Sequence, residues 1–85
     1  MREEMQILPE NLRGGMTRYL QHGIEPGSFL RAVLENDLLN AFGRADNENK
    51  RNLEEIVRWI YNYAPADSWG STAKVEAWMN KHSEV

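Results

Sequence analysis

Eighty-five residues, 41% of them apolar and 27% charged, describe one folded domain with a single core and no room for a second. A formal charge of −3 leaves no cationic surplus for the phosphates of bulk nucleic acid or for an anionic membrane surface, and the lack of cysteine excludes disulfides, thiolate nucleophiles and zinc ribbons. No apolar run approaches the ~18 residues of a membrane span and no signal-peptide core follows Met1, so the expected location is the cytoplasm.

Met5, Ile7 and Leu8 show no clear period, so residues 1–8 read as an arm, mobile or docked on a neighbour, ahead of a single helical domain over 9–85. Pro9 suits a first helical turn, and Leu12, Met16, Tyr19 and Leu20 follow at helical spacing, which predicts a first helix over about 10–21. Gly23 suits a left-handed C-terminal position, and Pro26 forbids continuation. Inside that helix Gly14 and Gly15 each cost ~1 kcal/mol relative to alanine, which predicts close approach by a neighbouring helix ahead of a ligand.

A second helix is predicted from Ser28, as N-cap, to about Phe42. At ~100° per residue Leu30, Val33, Leu34, Leu38 and Ala41 share one arc, with Asp37 near its middle and Asn36 and Asn40 beside it. A carboxylate centred on a core stripe costs several kcal/mol unless it is paired or opens onto a site. Asp37 therefore reads in two ways: as an internal partner of Arg13, Arg58 or the Tyr19 hydroxyl, or as a ligand-binding group. The two are compatible if the carboxylate orients an arginine toward a ligand.

Asp46 caps a third helix, which carries Leu53, Ile56, Val57, Ile60 and Ala64 on one side, with Asn49 extending the stripe, and ends at Pro65. Trp59, Tyr61 and Tyr63 spread around its remaining circumference, which predicts burial on more than one side, against the last helix or in a homo-oligomer. A turn cluster holding Trp69 leads to Ser71, the N-cap of a short last helix with Val75, Trp78 and Met79. The expected fold is all-α, a compact bundle of about four helices with the last one short.

Catalytic residues are not found. Two of the four serines, Ser28 and Ser71, read as caps, no nucleophile elbow is present, and neither histidine belongs to a metal-binding spacing, so no enzyme, metal or cofactor is expected. Anion recognition has better material. The helix starts at Ser28 and Ser71 offer free N–H groups and a hydroxyl, Trp69 offers a stacking face, and Arg13, Arg44, Arg51 and Arg58 offer bidentate donors. Asn36, Asp37 and Asn40 add the hydrogen-bonding edges that read a base or ribose. The expected ligand-binding set is Arg13, Tyr19, Ser28, Asn36, Asp37, Asn40, Trp69 and Ser71. Each has a plainer role in view: the serines as caps, Trp69 as a plug over a small core, the arginines as solvated surface.

The run HGIEPGSFLRAVLENDL at 22–38, with Leu12-Arg13-Gly14-Gly15, Ala64-Pro65 and Trp69-Gly70-Ser71, resembles a family of small proteins of phages and prophages. The resemblance covers most of the chain from Leu8 onward. It implies a cytoplasmic, phage-encoded accessory protein, and by analogy one acting on host defences. The expected function is a non-enzymatic protein that sequesters a small anionic, nucleotide-type signal. The alternative is a small inhibitor or adaptor that binds a host protein through an aromatic-rich helical surface.

Overall fold

The computed structural model describes residues 2–83, and among them the chain is all-α: helices α1 (Arg2–Met5), α2 (Glu10–His22), α3 (Ser28–Leu34), α4 (Leu38–Arg44), α5 (Asn47–Arg51), α6 (Leu53–Tyr63) and α7 (Thr72–Ser83), with a 3-10 turn at Ala66–Ser68 before α7. Seven helices stand where about four were expected because both long central patterns break and the arm adds α1. The expected second helix ends at Leu34, with Glu35 as its C-cap. Asn36 turns left-handed at φ 64°, its N–H donating to the Val33 carbonyl at 3.0 Å and the Asp37 N–H to the Ala32 carbonyl at 2.9 Å. That pair of bonds closes a helix C-terminus without glycine, since asparagine is the other residue that tolerates this conformation. Asp37 then caps α4. The expected third helix is interrupted at Asn52, which separates α5 from α6.

One core gathers Leu12, Met16, Tyr19 and Leu20 from α2, Phe29, Leu30, Ala32 and Leu34 from α3, Ile56, Trp59 and Ile60 from α6, and Val75 and Trp78 from α7. The spacings that predicted the first helix thus describe its buried face. Gly23 ends it as expected, at φ 67° with its N–H on the Tyr19 carbonyl. The expected helix contact at the Gly14-Gly15 pair is absent: a Cβ on Gly15 would meet nothing within 4 Å, and one on Gly14 would meet only the flexible Arg18 head. Close packing does not explain these glycines.

The arm docks. Leu8 is fully buried, the Trp59 indole donates to the Glu4 carbonyl at 2.6 Å, and Arg13 donates to the carbonyls of Leu8 at 2.8 Å and Gln6 at 2.9 Å. Two carbonyls of an irregular segment thereby receive charge-assisted partners, which is how backbone outside a helix settles against a core.

Tyr19 ties three elements together. Its hydroxyl donates to the Ser68 carbonyl at 2.7 Å and its own carbonyl accepts the Trp78 indole at 3.1 Å. Burial pushes the phenol up to about 12, with Arg31 lowering it less and Glu35 adding a smaller rise. A folded-state value above the unfolded one stabilises the protonated form, so this contribution is whole below pH ~10 and disappears as pH rises toward about 12. An ultraviolet absorbance titration is expected to show one late phenol that Tyr19→Phe removes. A titration unchanged by that substitution would contradict the assignment.

Candidate functional site

A cleft of about 280 Å³ lies between the α3–α4 corner and α6. Leu38 and Ala41 line it from α4, Leu53, Val57 and Ile60 from α6, and Val33 from α3. Tyr61 and Trp69 add an aromatic pair to the lining, their ring centroids 6.1 Å apart and tilted. Asn36 and Asp37 stand at the corner, and Asp37 is the one charged residue in the lining. The geometry follows from the break at Asn36. A continuous helix would turn Leu38 inward; after the break Ala41 takes the buried position and Leu38 is left 63% exposed. Tyr61 is 73% exposed, Val57 46%, and Phe42, one turn beyond Leu38 on α4, 55%.

Asp37 is therefore not the buried charge its helical position suggested. It is partly exposed, its Oδ1 accepting the Asn40 backbone N–H at 3.4 Å and its Oδ2 the Asn40 side-chain amide at 2.6 Å. Neither Arg13, Arg58 nor Tyr19 reaches it: Arg13 holds the arm, Arg58 pairs with Glu54 at 2.9 Å, and the Tyr19 hydroxyl is spent on Ser68. Asparagine caps a helix about as well as aspartate, so Asp37→Asn is expected to move stability by a few tenths of a kcal/mol and Asp37→Ala to cost ~1 kcal/mol. Thermal melts decide this. A loss of ~3 kcal/mol in Asp37→Asn would restore the buried-pair reading.

Of the eight expected ligand-binding residues, Asn36, Asp37 and Trp69 meet at the cleft. Asn40 and Ser28 lie with Asp37 along a separate polar depression of about 270 Å³. Ser28 is not the expected N-cap; Gly27 occupies that place, and no side chain caps α3. Ser71 does cap the last helix, its hydroxyl accepting the Lys74 N–H at 3.1 Å. Arg13 and Tyr19 serve the arm and the core. Trp69 is half-buried, and its indole N–H is enclosed without an acceptor, a cost of ~1–3 kcal/mol that a simple plug over the core would not need.

The electrostatics do not favour an anion at either place. Arg31, the best-placed cation of the polar depression, is held by Glu35 at 2.8 Å, Glu25 at 2.7 Å and Glu76 at 3.4 Å. Its hydrogen bonds to Glu35 first and Glu25 next hold the guanidinium proton more firmly than usual. The depression sets Glu25, Glu35 and Asp37 against Arg31 and Arg44, so carboxylates outnumber cations there. Among the described residues no cluster of three or more potential metal ligands occurs, and no helix is long and apolar enough to cross a membrane.

The cleft walls escaped sequence reasoning because Leu38, Val57 and Tyr61 sit on stripes that read as core or as unassigned bulk. The one available signal was the Asn36-Asp37 pair, a left-handed former followed by a strong N-cap, which marks a helix break without glycine or proline. In comparisons with known proteins, no family model matches this chain, and no curated protein or solved structure does either.

Proposed function

We propose that this chain is a non-enzymatic binding protein that docks another protein in the cleft between the α3–α4 corner and α6. The observation that carries this reading is an apolar furrow whose rim keeps Leu38, Val57 and Tyr61 in water, with a single carboxylate and no cation in its lining. Apolar surface gathered around a concavity and edged by aromatics is the composition of a protein-docking patch. In the setting implied by the resemblance to phage and prophage proteins, the chain acts as an inhibitor or adaptor and the partner is a host protein. A sponge for a nucleotide-type signal finds less support, because Arg13 is committed to the arm, Arg58 to Glu54 and Arg31 to its carboxylates, and in the depression that Arg44 lines carboxylates outnumber cations.

Two measurements separate these readings. A sponge gains stability from its ligand by RT ln(1 + [L]/Kd), ~2.7 kcal/mol at a hundredfold excess over Kd. Melts in the presence of cyclic di- and oligonucleotides are expected to stay at the value of the free protein. Capture from lysate of the producing cells is expected to return one stoichiometric protein with the wild-type chain and none with Val57→Glu. A nucleotide-dependent rise in the melt without protein capture would replace the docking reading with the sponge.

A further inference from the structure

The two walls of the cleft are helices, and both leave apolar residues exposed: Leu38 on α4, and Val57 and Tyr61, one turn apart, on α6. An exposed i, i+4 apolar pair beside a furrow between two helices is a surface a third helix packs into. An extended peptide adding a strand finds no sheet edge, since the described residues contain no strand. The volume of about 280 Å³ has room for the anchoring side chains of a helix that otherwise lies over the rim.

Asp37 supplies the chemistry. Its partners are the Asn40 amide and backbone N–H, with no ion pair among the described residues, and the cleft lining holds no lysine or arginine. An occupant apolar along its whole length would take water from this carboxylate and return nothing. Resting on the cleft as the docking site, we infer that its occupant is an amphipathic helix of the partner, carrying a lysine or arginine beside its apolar anchors, with that cation meeting Asp37. Asp37 is partly exposed, so the cation keeps part of its hydration.

A yeast-displayed library of helical peptides, randomised along one face and sorted on the purified 85-residue chain, tests this. Sorting on wild type is expected to enrich large apolar residues at i, i+3 or i+4 together with Lys or Arg at one fixed offset. Sorting on Asp37→Asn, which preserves the cap, is expected to keep the apolar positions and lose the basic one, and wild-type-selected peptides are expected to bind this variant about tenfold more weakly or worse. Apolar enrichment with no basic preference, or the same preference on Asp37→Asn, would overturn the charged helix and leave the docking cleft standing. Failure to enrich any peptide, or enrichment unaffected by Val57→Glu, would overturn both.

Discussion

Replacing Trp59 by alanine is expected to destabilise the fold by ~3–5 kcal/mol, the range for emptying a large aromatic from a core. The side chain is 1% exposed, packs on Tyr63 with ring centroids 5.7 Å apart, and holds the arm through its indole bond to the Glu4 carbonyl. A domain of this length has a total stability of roughly 4–13 kcal/mol, so the variant loses much of its margin. Trp59→Phe fills most of the volume and drops the bond, and its expected loss is smaller, ~1–3 kcal/mol. Urea denaturation measures both. If the two variants matched wild type, the arm would not be part of the folded unit.

Placing a carboxylate in the cleft is expected to have the largest effect on binding and almost none on folding. Val57 is exposed on α6, where glutamate has the better helix propensity, so Val57→Glu is expected to shift stability by less than ~1 kcal/mol. In a complex the same carboxylate would be buried against the apolar wall of α6, and loss of an apolar anchor together with a stranded charge weakens interfaces by ~100-fold or more. Melts and titration of the captured partner, run side by side, measure the two effects. A variant that folds and still binds would place the docking surface elsewhere.

Much of the fold was legible because its local signals agree. The Leu12, Met16, Tyr19 and Leu20 stripe, the Gly23 stop, the Asp46 cap and the Ser71 cap are where periodicity and capping chemistry place them. Asp37 was misplaced because the wheel of Leu30, Val33, Leu34, Leu38 and Ala41 continues across a break that contains neither glycine nor proline. Hydrophobic period reports a stripe, whereas backbone hydrogen bonds at Val33 and Ala32 decide where the stripe stops. The docking of Leu8 was illegible for a different reason. A single fully buried residue ahead of Pro9 has no period, and the carbonyls that Arg13 satisfies leave no mark in the sequence. At the cleft, Asn36, Asp37 and Trp69 were recognised as unusual, but the facing apolar wall that gives them meaning comes from α6, beyond the reach of local pattern.

The central claim is that a partner sits against the cleft, and two tyrosines of α6 test it directly. Tyr61 edges the cleft, whereas Tyr63 stands two residues on, roughly 200° around the helix, against Trp59. Both are exposed, and both accept a benzoylphenylalanine photocrosslinker of similar shape. Irradiation in the producing cells is expected to yield one heavier adduct from position 61, containing a different protein, and none from position 63. Adducts of equal yield at the two positions, or an adduct at position 61 made only of two copies of this chain, would contradict the account.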